Sequence, residues 1–396
     1  MKKINFFPDD LNVRNKKIIL RLDLNVPLKN KLIMDDTRII MCLPFINTLI
    51  EKKAKIIIIS HLGRPKGLRD PALSLMPVYK YLKEKLQTNV YFFMGNFDTT
   101  VQEKFSHLKE GEVILIENIR FFKEETSDDE NFSKKLASLG DIYVNDAFSC
   151  SHRKQSSIHN ITNFINKTFA GPLFKKEIDS INLIIKNKKE PVTCIIGGAK
   201  ISTKINVITS LLGKINNFIV VGAMANNFFV YKNFKVGKSL IENNTKEAIR
   251  RIYDEANKKN CKIIIPEDCV VATSFEGEGK NKSLEKIEEN EIILDIGSAT
   301  VKKIKQIISQ SNTILWNGPA GYFENKNFLN GTKSIAKAIS ENTKNNNLIS
   351  VLGGGDTLAA VNKIENELSF SHLSTAGGAF LEYLEGKDLP GLSVLK

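Results

Sequence analysis

The chain has 396 residues, 42% of them hydrophobic, and 57 Lys and Arg against 44 Asp and Glu give a formal charge of +13. This length favours two domains over a single core, and no apolar run approaches the roughly 18 residues that cross a bilayer. The lysines are scattered, with no basic block and no interleaved aromatic platform, which speaks against nucleic acid as the main partner.

From the start, Met1–Asp10 turns acidic before any signal-type stretch develops, so a cytoplasmic protein is expected. Five cysteines with no Cys-x-x-Cys pair read as reduced core thiols. Strand-length apolar runs then recur at 17–22, 55–60, 90–94, 113–117 and 141–145, and again at 192–196, 217–222, 262–266, 292–296, 313–316 and 348–352. Helical segments alternate with them, which predicts an α/β protein with two doubly wound parallel sheets of Rossmann-like type. Ile39, Leu43, Ile46 and Ile50 mark a helix face, and Pro44 within it removes one backbone bond. The boundary is expected at Ala170-Gly171-Pro172, followed by a linking helix with apolar residues at 174, 178, 181 and 185.

Ligands of open α/β sheets bind beyond the carboxyl ends of strands. In the first half those positions carry Arg21-Leu22-Asp23-Leu24-Asn25, Ser60-His61-Leu62-Gly63-Arg64, Glu117-Asn118-Ile119-Arg120 and Asn145-Asp146, with His152-Arg153 close behind and Arg38 opening a helix. Arginine forks suit phosphate and carboxylate oxygens, so Arg38, Arg64, Arg120 and Arg153 predict a pocket for a small, multiply charged acid. Asp23 with Asn25 is assigned to substrate hydroxyls, and Glu117 and Asp146 to orienting arginines. His61 suits either a loop role or a bond to substrate.

In the second half the corresponding turns are glycine-rich. Gly197-Gly198-Ala199-Lys200 through Lys204 reads as strand, turn and helix N-terminus with two lysines, a phosphate cradle. Gly353-Gly354-Gly355-Asp356-Thr357 repeats the geometry, with Asp356 suited to a nucleotide-bound Mg²⁺ or to a helix cap. Trp316-Asn317-Gly318-Pro319 is a third loop, after which Glu324 suits either a bond to ribose hydroxyls or, taken alone, a plain surface charge. Val236-Gly237-Lys238-Ser239 imitates the end of a Walker A loop, but the position of its first glycine holds Lys232. A dehydrogenase is disfavoured because no Gly-x-Gly-x-x-Gly turn opens a helix after a strand.

In this order, these motifs and Leu389-Pro390-Gly391 resemble the phosphoglycerate kinase family over essentially the whole chain. The resemblance implies a two-domain monomer that transfers a phosphoryl group from 1,3-bisphosphoglycerate to MgADP, giving 3-phosphoglycerate and ATP in glycolysis. It implies domains at 1–170 and 171–370, with 371–396 packing back on the first and a hinge that closes. Triose-acid contacts would be Asp23, Asn25, Arg38, His61, Arg64, Arg120 and Arg153. Nucleotide contacts would be Lys204, Gly297, Asn317, Glu324, Gly354, Gly355, Asp356 and Thr357, with Asp356 facing Mg²⁺. The phosphate cradle adds Gly198 and Lys200 to them, and the chemistry of phosphoryl transfer leads us to expect Arg38 and Lys200 on either side of the moving group. Three positions depart from the family pattern: Ala376 and Val221 stand where glycines are usual, and Ser298 where proline often stands.

Overall fold

A computed structural model describes residues 4–97, 101–364 and 367–396; the opening Met1–Lys3 lie outside them. The chain divides into two compact units, one of residues up to Ile178 with Asp388–Lys396, the other of Asp179–Lys387. Each has a six-stranded sheet in which all neighbours run parallel.

In the first unit the sheet order is Val90–Phe93, Val113–Ile116, Lys55–Ile59, Lys17–Arg21, Ile142–Asn145, Thr168–Ala170. Ile18, Ile19 and Leu20 of the central strand are fully buried, as expected where helices cover both faces of a parallel sheet and the run has no polar side. The chain moves outward on one flank of Lys17–Arg21 and returns on the other at Ile142–Asn145. A crevice opens at such a switch point, here beyond Arg21 and Asn145.

Helix Thr37–Glu51 buries Ile39, Cys42, Phe45, Ile46 and Leu49. Its stripe is therefore turned slightly from the expected one, with Leu43 and Ile50 half-buried at its edge. Pro44 stays inside the helix on the exposed side, where a missing N–H costs least. The linking helix runs Pro172–Ile185, burying Phe174, Ile178, Ile181 and Ile184, and the division between units falls inside it.

The second sheet is ordered Lys262–Ile264, Asn217–Val220, Val192–Ile196, Thr313–Asn317, Ile349–Gly353, His372–Ser374. Its switch point lies between Val192–Ile196 and Thr313–Asn317, where Ile196 pairs with Asn317. The run 292–296 corrects the expectation of parallel strands only. Ile292–Ile296 belongs to a separate antiparallel sheet on the other side of Asp268–Ala272 from Lys280–Ser283. The tail needs correction too. His372–Ser374 finds its backbone partners on Ile349–Gly353, and Leu384 accepts from Ser210 Oγ at 3.1 Å, so residues up to 387 belong to the second unit. Only Asp388–Lys396 joins the first, where Gly391 N donates to Ser151 O at 2.9 Å and Asn5 N to Leu395 O at 2.8 Å. No helix among the described residues is long and apolar enough to cross a membrane.

Candidate active-site halves

The crevice of the first unit gathers its polar groups from four strand ends. Asp23 pairs with Arg38, whose Nη1 lies 2.7 Å from Asp23 Oδ2 and 3.2 Å from Asn25 O, and Ser149 Oγ donates to the same carboxylate oxygen. Burial alone would raise the Asp23 pKa, but the Arg38 guanidinium and the hydrogen bonds from Ser149 and Asn25 outweigh it and hold the carboxyl down at about 2. Asn25 Oδ1 accepts from Gly63 N at 2.9 Å, which fixes the loop carrying His61 and Arg64.

His61 is buried. Burial, reinforced by Arg21, Arg120 and Arg38 and opposed by Asp23, keeps its pKa well below the usual range, so the ring is neutral. Its Nδ1 lies 3.4 Å from Arg21 Nη2. Arginine can only donate, so Nδ1 accepts and the ring proton sits on Nε2. Arg21 is itself fully buried, with Nε on Ser157 Oγ at 2.9 Å. It is a structural cation at the end of an apolar strand, beyond the four arginines expected to form the rim.

Arg120 is the most informative member of the rim. Its Nη1 donates to Gly63 O at 2.8 Å, while Nε and Nη2 are buried with no hydrogen-bond partner among the described residues. Orphaned buried donors on a cation are costly and mark the place of a missing acceptor. Burial lowers its pKa to about 10, so it stays charged at neutral pH, and the charge of Arg153 bears on it. Arg153 Nε reaches His152 Nε2 at 3.1 Å, and Arg64 is exposed.

The two acids assigned to arginines do other work. Glu117 accepts from Ser74 Oγ at 2.6 Å and from the backbone of Leu75 and Asn118 at 2.7 Å each, because its strand ends beside the turn that starts the next helix. Asp146 Oδ1 accepts from Phe174 N at 2.8 Å, at the head of the linking helix, and burial raises its pKa to about 7.

In the second unit the switch point is closed by a lysine. Lys204 Nζ donates to Gly197 O and to Asn317 Oδ1, both at 2.7 Å, which ties two neighbouring strand ends together. Burial lowers its pKa to about 8, with Cys194 and Asp356 pulling the other way. Asn317 Nδ2 continues to Gly353 O at 2.8 Å, and Thr357 Oγ1 accepts from Gly318 N at 2.6 Å and donates to Gly353 O at 2.8 Å. Lys204, Asn317 and Thr357 thus form one network anchored on the backbone of Gly197, Gly318 and Gly353. A cavity of about 470 Å³ opens beside it, lined by Gly198, Gly222, Leu294, Tyr322, Glu324 and Asp356 among others. Its wall includes Ile292–Ile296 of the antiparallel sheet, next to Gly297. Lys280–Ser283, on the far edge of that sheet, carries no apolar run that would mark it as a strand.

Two local expectations fail. No helix begins at Lys200: residues 201–204 form turns because Glu242 captures Ser202 through its N–H, and the helix starts at Ile205. Lys200 is exposed. Nor is Asp356 a cap. Gly354 caps helix Gly355–Asn362, and Asp356 lies exposed in the first turn. The Walker-like segment is structural, with Lys238 N on Glu291 O at 2.7 Å and Ser239 Oγ accepting from Ile293 N at 2.8 Å.

The three departures are accommodated. Positive φ falls on Gly377 and Gly222, the residues after Ala376 and Val221, so neither added side chain meets a forbidden conformation. Ser298 begins helix Ser298–Ser309 and donates its N–H to Asn281 Oδ1 at 2.9 Å.

Two parallel-sheet units, one with arginines and one with glycine-rich turns beyond its strand ends, define a two-domain α/β protein. The family pattern described as phosphoglycerate kinase matches residues 8–387. The phosphoglycerate kinase of Wolbachia pipientis wMel is 44% identical over 390 residues, covering 98% of each chain. That of Buchnera aphidicola subsp. Schizaphis graminum is 45% identical over 390 residues, 98% of this chain and 97% of the relative. Among solved structures, phosphoglycerate kinase from Coxiella burnetii superposes with a TM-score of 0.86 at 38% identity, covering 98% of this chain and 97% of that one. The enzyme from Pyrococcus horikoshii OT3 gives 0.84 at 31% identity, covering 98% of each. This chain belongs to the phosphoglycerate kinase family.

Proposed function

We propose that the arginine rim holds the three-carbon acid and the glycine-rich face holds the nucleotide in the glycolytic reaction of this family. The protein is a phosphotransferase with a carboxyl acceptor, moving a phosphoryl group between 1,3-bisphosphoglycerate with ADP and 3-phosphoglycerate with ATP. The observation that carries this reading is that one family pattern, over residues 8–387, takes in both halves. The test is a mixture of ATP, Mg²⁺ and 3-phosphoglycerate with the acyl phosphate drawn off by a coupled reduction. Turnover is expected, and a well-folded protein without it would refute the assignment.

Asp23 and Asn25 orient the acid's hydroxyl end, while Arg38, Arg64, Arg120, Arg153 and His61 receive its charged groups. Gly198, Lys200, Lys204, Gly297, Asn317, Glu324 and Gly354 through Thr357 hold the nucleotide. Asp356, exposed beside the cavity and not used up as a cap, suits an Mg²⁺ that is held mainly by phosphate and water oxygens. When bound, that ion neutralises phosphate charge. Arg38 and Lys200 flank the moving group and bind it best at the transition state. Attacking and leaving atoms are phosphate and carboxylate oxygens, so no general base is needed. In-line transfer with water excluded requires the two units to close. Small-angle scattering with both substrates is expected to give a smaller radius than either binary complex; an unchanged radius would refute closure. We read the enzyme as a cytoplasmic monomer without a nucleic-acid partner.

The lowered Lys204 pKa makes nucleotide binding pH-dependent. In the free protein the ammonium loses its proton as pH rises through about 8. Phosphate oxygens nearby favour the charged form and raise that pKa in the complex. Affinity is therefore full below about 8 and declines above it, by at most about tenfold per pH unit, and binding near pH 8.5 takes up a proton. Calorimetry in buffers of different ionisation enthalpy checks this; proton uptake that survives in Lys204→Met would assign it elsewhere.

A further inference from the structure

A second cavity of about 440 Å³ lies in the first unit, with Glu117 and Phe121 in its lining. Its volume is that of a small-molecule site. Leu28, Met76, Pro77 and Phe121 give it an apolar body, and Lys31, Arg69 and Lys80 stand at its mouth. Three cations face two carboxylates, Asp70 and Glu117, which leaves the lining one positive charge in excess. Arg69 is held by neutral acceptors, Met94 O at 3.0 Å and Asn96 Oδ1 at 3.1 Å. The two acids of the wall are oriented by neutral donors: Asp70 accepts from Ala72 N at 2.9 Å, and Glu117 from Ser74, Leu75 and Asn118.

The wall of this cavity is joined directly to the rim. Asn118 Nδ2 donates to Leu73 O at 2.8 Å on the cavity side and to Leu62 O at 2.7 Å on the rim side, while its Oδ1 accepts from Leu62 N at 3.2 Å and Arg120 N at 3.1 Å. Gly63 packs so closely on Leu73 that a Cβ there would lie 2.6 Å from Leu73 Cδ2. Gly63 also meets Asn25 and Arg120 through its own N–H and C=O. A displacement of the turn Pro71–Leu73 therefore reaches the loop at 61–64.

We infer that this cavity is a second ligand site, for a small organic anion with a flat apolar body, and that its occupancy is coupled through Asn118 to the loop carrying His61 and Arg64. The binding half is independent of the function proposed above; the link to substrate affinity rests on it.

The probe is 2-naphthoate, titrated calorimetrically into the full-length protein. One site is expected, and it persists when MgATP and 3-phosphoglycerate are both saturating. Met76→Trp, which fills the cavity, abolishes it, and the exposed Lys80→Glu weakens it about fivefold. Coupling appears as slowed amide exchange at Leu62 and Gly63, a readout that needs no turnover, and as a change of about fivefold or more in 3-phosphoglycerate affinity. No saturable binding, loss of binding when the substrates are present, or indifference to both substitutions overturns the site. Unchanged exchange at Leu62 and Gly63 overturns the coupling. A protein that binds naphthoate and slows that exchange, yet never binds 3-phosphoglycerate, would count against the proposed function and leave this site standing.

Discussion

Arg38→Ala is expected to lower turnover by about two to three orders of magnitude, the scale of losing a donor that acts on transition-state charge. The guanidinium is held in advance: Nη1 rests on Asp23 Oδ2 at 2.7 Å and on Asn25 O. A transition-state donor fixed this way needs little reorganisation when charge develops. The substitution also removes the chief opposing influence on Asp23. Burial, the largest influence on that carboxyl, would then dominate and raise its pKa. In the parent protein, the depressed Asp23 pKa contributes stability that is present above the ordinary carboxylate range and is lost as pH falls toward about 2. The variant should lose much of that dependence. Steady-state kinetics and acid unfolding check both effects, and near-normal turnover would remove Arg38 from the chemistry. Arg38→Lys keeps the charge without the fork and should recover only part of the rate.

Gly318→Ala is expected to damage the nucleotide half selectively. Gly318 has φ +104°, and an added Cβ would lie 2.4 Å from both the carbonyl carbon and the oxygen of Gly197. Both are backbone atoms, so no rotamer change relieves the overlap, and the conformation itself is strained for an L-residue. The combined cost is about 3 kcal/mol or more, which for a unit of this size lowers its melting temperature by roughly 6–12 °C. The same overlap pushes apart the two strand ends that Lys204 bridges, so ATP affinity should fall while 3-phosphoglycerate affinity holds. Calorimetric melts with titrations of each ligand decide it; equal loss of both affinities would mean general unfolding instead.

Much of this was legible because parallel strands buried on both faces leave unbroken apolar runs, as at Lys17–Arg21 and Val192–Ile196. Chemistry concentrated at their carboxyl ends could then be placed without coordinates. The strand Lys280–Ser283 was not legible, since all four residues are polar and none is fully buried. Nor was the delayed helix at Ile205, which depends on Glu242, far along the chain, taking the N–H of Ser202. The roles of Glu117 and Asp146 were misassigned for a related reason. A carboxylate near arginines in sequence looked like their partner, whereas backbone N–H groups of adjoining helix starts had already claimed it.

The last residues have a consequence for biogenesis. Gly391 lies against Ser151, two positions before Arg153, and a Cβ at Gly391 would come within 2.9 Å of Ser151 Cα. During translation the amino-terminal half therefore emerges without the piece that seats this stretch, and it waits for the whole carboxyl-terminal half to be made. A ribosome stalled anywhere before codon 388 leaves a nascent chain whose first half lacks its closing segment.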